Sequence, residues 1–348
     1  MNKLESLQIL RAYAALLIVI YHAIYDVSAL YFGEEKKLIN NPELLIYGID
    51  LFFVISGFIM VYTTFSQSGF EVSKKFIIRR LIRIVPLYWF YTFLLLAVVL
   101  VLPSAVGGVS FSLSEFIKSL FFIPYFDSND RLFPFLKLGW TLNYEMYFYL
   151  VFAVLLLLPF RILLPALIAF FSGLYFFQDA LLPEGIIQAF YGKRIVLNFM
   201  IGVVIGYAFK RGLRLPSWSF WLGVLVVFMS FFCIIFYEQI ISISEFRFNR
   251  MRWAALTVAL FVLAKNWEAV SMPKPLVILG DASYSLYLSH VFVIGGLTAL
   301  IGLIGIQGFV PVWVMFFSAI ALSITGGVLS YLYLEKPMLA LSKRLIAK

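Results

Sequence analysis

Ten apolar runs, each close to the length that crosses a bilayer, constrain this chain more than any other feature. They fall near residues 8–28, 46–66, 84–103, 138–158, 161–178, 194–210, 217–237, 251–266, 283–304 and 310–333. Crossing the hydrocarbon core takes about 20 helical residues, and a backbone in lipid must satisfy its own hydrogen bonds. The runs therefore predict an all-α fold, a polytopic transmembrane helical bundle of about ten helices. The chain is 63% hydrophobic and 13% charged, with mean hydropathy +0.98, whereas soluble domains are roughly half apolar and a quarter charged. Residues 1–340 read as a single transmembrane domain, with a short cytoplasmic tail over 341–348. Arg11 interrupts the first apolar run and no small-residue cleavage site follows, so that run reads as a retained span rather than a signal peptide.

The net charge of +9 sits mostly in short connections between spans, which is an orientation signal rather than a nucleic-acid surface. With the amino terminus inside, Lys3, Arg11, the cluster Lys74, Lys75, Arg79, Arg80 and Arg83, then Arg161, Lys210, Arg211, Arg214, Lys265, Lys274, Lys336, Lys343, Arg344 and Lys348 fall on the inner side. Glu34, Glu35, Glu43, Asp127, Asp130, Asp179, Glu184 and Glu238 fall outside. The expectation from charge is that both termini are cytoplasmic. Lys193, Arg194, Arg247, Arg250 and Arg252 run against the rule near the outer face. The connection 104–136, flanked by Pro103 and Pro134, holds an apolar stretch from Phe111 to Ile123 that is too short to span and reads as an interfacial or re-entrant helix. The lone Cys233 excludes internal disulfides. With only His22 and His290, no metal and no redox chemistry are expected.

Ionisable groups inside spans cost about 3 kcal/mol or more, so each is a functional candidate. Arg11 and His22 are eleven residues apart, about three helical turns, and share a face roughly 16 Å apart along the axis. The plainer reading lets Arg11 snorkel to headgroups and His22 bond a neighbouring helix. Asp50 in GIDLFFVISGF and Glu145 in GWTLNYEMYFY lie in the outer parts of their spans. His22, Asp50 and Glu145 could share one polar pocket, a carboxylate fixing the His22 imidazole tautomer while the other ring nitrogen accepts a proton. Asp50 could equally serve a helix N-terminus, and Glu145 a structural hydrogen bond. Arg80 and Arg83 share a helix face and could grip phosphates bidentately, although topogenic charge produces the same cluster. His290 in DASYSLYLSH reads as packing with a satisfied hydrogen bond or as part of a cytosolic entrance. Glu335 in EKP reads as an inner-surface ion pair or a contact of the basic cluster, and Trp140 as an interfacial ring.

Taken in order, Arg-x10-His in LQILRAYAALLIVIYHA, GIDLFFVISGF, Arg-x-x-Arg in FIIRRLIRIVP, GWTLNYE, SYSLYLSH and the terminal EKP resemble the acyltransferase-3 family of membrane acyltransferases. The likeness is strongest to stand-alone bacterial exopolysaccharide O-acetyltransferases and runs from about residue 5 to residue 338. The resemblance implies the bacterial cytoplasmic membrane, and transfer there of an acyl group, most simply from acetyl-CoA, onto a carbohydrate hydroxyl. It implies His22 as the essential histidine with Arg11 its partner, Arg80 and Arg83 at the acyl donor, and Trp140 with Glu145 in the GW-x-L-x-x-E element. Catalysis is thus expected from His22, Glu145 and Asp50, and donor binding from Arg11, Arg80, Arg83 and Trp140. The expected partners are acyl-CoA, a carbohydrate acceptor and membrane lipids, with no nucleic acid; a homo-oligomer is left open. Some relatives carry an additional SGNH-type hydrolase domain, and this sequence stops after span ten, so it is expected to finish the transfer alone or with a separate partner. The rival reading is a transporter or flippase of lipid-linked sugars or small anions, since buried charges within ten spans also suit alternating access.

Overall fold

The computed structural model describes residues 4–33, 36–39, 41–102, 111–236 and 243–346, without the side chains of 232–236, 243–248 and 344–346. Lys3, Glu34, Glu35, Pro103, Glu238 and Lys348 lie outside the described residues, as do the side chains of Cys233, Arg247 and Arg344.

The described chain is helical and holds no named strand. In order, the helices are α1 (Glu5–Phe32), α2 (Tyr47–Thr64), α3 (Phe70–Val101), α4 (Leu113–Leu120), α5 (Gly139–Leu155), α6 (Phe160–Phe176), α7 (Gln178–Leu181), α8 (Ile186–Tyr191), α9 (Val196–Lys210), α10 (Trp218–Phe236), α11 (Ile243–Val262), α12 (Lys274–Asp281), α13 (Ser283–Ile304), α14 (Val312–Ser330) and α15 (Lys336–Ile346). Each of the ten runs read from sequence falls on one of these helices. Among the described residues, six stretches are long and apolar enough to cross a membrane: Glu5–Phe32, Pro42–Thr64, Phe70–Val101, Ile186–Lys210, Ser283–Ile304 and Val312–Lys343. Phe160–Phe176 and Trp218–Phe231 are shorter apolar helices. The remaining two are α5, at 17 residues, and α11, which carries Arg250 and Arg252. This is a multi-pass membrane protein.

Span three differs from the sequence reading. Instead of starting near Ile84, α3 runs unbroken for 32 residues from Phe70, with Pro86 inside it. Proline removes one N–H and crowds the carbonyl four residues back. The helix nevertheless continues, so Arg79, Arg80 and Arg83 ride on its first half. At 1.5 Å per residue α3 is about 48 Å long, longer than the roughly 30 Å hydrocarbon core, which leaves room for that charged half beyond the lipid tails. The stretch from Phe111 to Ile123 forms the short helix α4, capped by the Ser112 hydroxyl accepting from the Glu115 amide. Its Phe116 packs with Val99 and Phe135.

The chain forms two compact units. Unit one comprises Met1–Ile55 and Gly212–Lys336, and unit two comprises Ser56–Arg211 and Pro337–Lys348. In unit one, α1 is the central element, packed by α12, α13 and α14. Leu10, Ala14, Ala15, Leu17, Val19, Ala23, Ile24 and Val27 are fully buried, and a helix apolar on all sides is what a bundle interior requires. Between helices in lipid there is little hydrophobic drive, so close backbone approach supplies the packing. Gly280 of α12 meets α1 in this way: a Cβ there would lie 2.6 Å from that of Gln8.

Unit two packs α3, α5, α6 and α9 with the second half of α2. Its interior is an aromatic stack in which Phe148 lies 4.1 Å from Phe199 and 5.1 Å from Phe171, ring centre to ring centre. Gly57 of the ISGF segment lets α2 reach the α9 backbone, since a Cβ there would strike the Phe199 carbonyl.

Candidate functional site

In unit one, His22 of α1 is half-buried. Its Nδ1 is 2.9 Å from the Ile18 carbonyl and 3.1 Å from Nε2 of His290. His290 comes from α13, is fully buried, and places its own Nδ1 3.0 Å from the Leu286 carbonyl. A carbonyl can only accept, so each Nδ1 carries the proton in the neutral pair. His290 Nε2 is then a lone pair that receives the His22 Nδ1–H alongside the Ile18 carbonyl. Among the described residues His22 Nε2 has no hydrogen-bond partner, and it keeps its lone pair. The sequence expected a carboxylate to fix this tautomer; the structure uses a second imidazole 268 positions away. Spacing along the chain could not have found that pairing. The only signal was a second histidine inside an apolar span.

The tyrosine neighbours of His22 continue along the same helix. Tyr21 meets the His22 ring edge-on at 5.0 Å. One turn beyond His22, the Tyr25 hydroxyl donates to Glu43 at 2.5 Å, and Lys37 bonds both at 2.7 and 3.1 Å. Arg11, three turns before His22, is buried at 9% exposure and donates to Gln8 Oε1 at 2.9 Å. It is not a headgroup-seeking side chain at the surface.

Asp50 sits in the first turn of α2, where the helix dipole favours an acid. Its carboxylate also pairs with Arg250 Nε of α11 at 2.5 Å. That pairing gives Arg250, which ran against the positive-inside rule, a partner the sequence did not suggest. Glu335, expected at an inner surface, is instead buried at 3% exposure and accepts from the Ser285 hydroxyl at 2.6 Å. It lies in the π-helical turn Tyr331–Glu335 that prolongs α14, and a widened turn of that kind re-aims side chains. The turn carries this acid inward to α13.

Unit two gathers the other candidates. Tyr149 of α5 donates to Glu145 Oε1 and lies 3.2 Å from the Ser56 hydroxyl, which itself donates to the same carboxylate oxygen at 3.2 Å. The Arg80 guanidinium stands 5.2 Å from the centre of the Tyr149 ring and 5.3 Å from that of Phe76. Tyr149 therefore joins the Arg-x-x-Arg and GW-x-L-x-x-E segments, a role the sequence did not disclose. Stacking occupies the faces of the Arg80 guanidinium and leaves its N–H donors free. Among the described residues neither Arg80 nor the half-buried Arg83 makes a hydrogen bond or an ion pair, so both can receive an anion. Trp140, half-buried in the first turn of α5, packs edge-on against Tyr144 at 6.1 Å. The glycine before it is required by packing, because a Cβ at Gly139 would lie 2.6 Å from the Tyr88 hydroxyl.

Comparison with known proteins bears on what these groups can do. Residues 4–332 match the family model described as an acyltransferase domain, Acyl_transf_3. Exopolysaccharide production protein ExoZ of Rhizobium meliloti (strain 1021) is 32% identical over 84% of this chain and 89% of its own length. "Putative O-acetyltransferase SACOL0978" of Staphylococcus aureus (strain COL) is 26% identical over 97% of this chain and 57% of its own. This chain thus spans little more than half the length of that staphylococcal protein. No solved structure matches. With nearly every described helix inside the matched region, the chain belongs to the acyltransferase-3 family.

Proposed function

We propose that this acyltransferase moves an acyl group, most simply acetyl, from cytosolic acyl-CoA to a hydroxyl of a cell-surface or extracellular polysaccharide or its lipid-linked precursor. It would act in the bacterial cytoplasmic membrane with both termini in the cytoplasm. The observation that carries this reading is the set of contacts around His22, from which its tautomer is inferred. A donor-only Nδ1, held by Ile18 and His290, leaves a basic Nε2 on a half-buried ring.

In the proposed reaction Nε2 removes the proton of the acceptor hydroxyl as its oxygen attacks the thioester carbonyl. The C–S bond breaks, and the imidazolium returns the proton to the CoA thiolate, leaving an O-acyl ester and free CoA. An acyl-imidazole route would use the same lone pair as nucleophile. Arg80 and Arg83 would receive donor phosphates on their unpaired N–H groups, with Glu145 and Tyr149 fixing the surface that carries Arg80. Asp50, paired to Arg250, would hold α2 to α11 in this account rather than act as a base. The exopolysaccharide reference in the name of the Rhizobium relative supports a glycan acceptor.

Purified protein incubated with radiolabelled acetyl-CoA and candidate glycans tests the proposal. Label transferred to glycan supports it. Glycan movement across vesicles without labelling would identify a carrier instead.

A further inference from the structure

The buried histidine of α13 does more than fill space. His290 has zero exposure, and both of its nitrogens are engaged, Nδ1 with Leu286 and Nε2 with His22. The two rings lie 4.8 Å apart at 59°, so the contact runs through the ring edges and is not a stack. A residue needed only to fill the space between α1 and α13 would be apolar, because a buried polar ring costs free energy unless its hydrogen bonds are made. The bonds it makes point one way. Leu286 fixes the proton on Nδ1, and that in turn forces Nε2 to present a lone pair to His22.

We infer that His290 is a positioning residue for the acyl transfer proposed above, an uncharged counterpart of the carboxylate that orients a catalytic histidine. The inference rests on that reading of His22. Before reaction His290 accepts the His22 Nδ1–H, which holds the ring angle and keeps Nε2 free. When Nε2 takes the hydroxyl proton, His22 becomes an imidazolium, and its Nδ1–H stays held between the Ile18 carbonyl and the His290 Nε2 lone pair. The neutral His290 ring steadies that charge as a hydrogen-bond acceptor. As the C–S bond breaks, Nε2 delivers its proton to the thiolate. No proton is gained or lost over the cycle. A neutral partner also avoids placing a second anion beside the developing oxyanion, where a carboxylate would oppose it.

The test uses the full-length protein in detergent or nanodiscs, comparing wild type with His290→Gln, His290→Leu and His22→Ala. Glycan labelling and the acetyl-CoA KM are measured for each, and chromatographic homogeneity serves as the folding control. Gln can accept from Nδ1–H through Oε1, and Leu cannot. Leu is expected to lower kcat by about a hundredfold, the lower end of what acid–base assistance contributes, with the acetyl-CoA KM within about twofold of wild type. Gln is expected to recover at least about tenfold over Leu. A kcat for Leu within about threefold of wild type, or Gln no better than Leu, overturns the inference. Should Leu fail to fold, His290→Asn replaces it: the shorter amide does not span 3.1 Å from the same backbone position, and equal rates for Gln and Asn overturn the inference. Dependence on His22 with indifference to His290 removes this inference alone, whereas full transfer by His22→Ala removes the parent reading with it.

Discussion

Arg250 Nε stands 2.5 Å from the carboxylate of Asp50, tying the first turn of α2 to α11. Asp50 is 6% exposed at its side chain and Arg250 28%, so the acid is the member that suffers when the pair is broken. Arg250→Met is expected to destabilise the protein by up to about 3 kcal/mol, the low end for removing one partner of a buried ion pair. Asp50→Asn should cost less, since the freed guanidinium is partly solvated. Thermal unfolding of the two variants in the same detergent checks the order, and equal losses would contradict it.

The cluster around Glu145 gives a kinetic prediction. Tyr149→Phe removes one donor from the carboxylate and keeps the ring under Arg80. A hydrogen bond to a charged group is worth about 1.5–3 kcal/mol, so transfer should fall by about tenfold or more. Tyr149→Leu also removes the aromatic face beneath Arg80 and should fall further, with a larger rise in acetyl-CoA KM than Tyr149→Phe shows. Steady-state kinetics of the two variants separates the contributions.

Arg80 and Arg83 are predicted to act on donor affinity. Arg80→Ala and Arg83→Ala should each raise the acyl-CoA KM by about tenfold, in line with loss of a charge-assisted hydrogen bond. Arg80→Lys should not restore it, because an ammonium neither stacks flat on Tyr149 nor forks to a phosphate. Acetyl-CoA titration with each variant decides this, and unchanged KM values would assign these arginines to topology alone.

The loop before α5 carries a pH-dependent clasp. Burial raises the Asp127 carboxyl, but the amides of Arg131 and Asn129 and the Arg131 guanidinium outweigh it and hold the group below its ordinary value of 3.8. The bonds involved are 2.9 Å to each amide and 3.1–3.2 Å to the guanidinium. A depressed folded value means that the ionised form stabilises the loop at neutral pH, and that this contribution is lost as the pH falls below 3.8 through the folded value. Hydrogen exchange at the Asn129 and Arg131 amides should accelerate, after correction for intrinsic rate, on acidification through that range. Asp127→Asn should show weak protection at every pH.

Much of the fold was legible because lipid imposes one simple requirement: about 20 apolar residues in a self-satisfied helix. Every run from 8–28 to 310–333 lies on a helix. Length and apolarity say little about where helices begin, so the sequence started span three near Ile84, whereas α3 begins at Phe70 and carries its arginines through Pro86. Pairings between distant segments are not written in spacing at all. His22 with His290, Asp50 with Arg250, and Ser285 with Glu335 each require knowing which helix faces which. The motif residues themselves could be named, but their partners could not. Tyr149 was hidden for a different reason: in a chain with 20 tyrosines, nothing in GWTLNYEMYFY marks which one meets both Glu145 and Arg80.

The central claim is that the Nε2 lone pair of His22 carries the acyl transfer. Glycan acetylation by purified His22→Ala, beside wild type and at saturating acetyl-CoA, tests it most directly. The account predicts loss of about a hundredfold or more in a variant that inserts normally and still binds acetyl-CoA. Acetylation near the wild-type rate would contradict it.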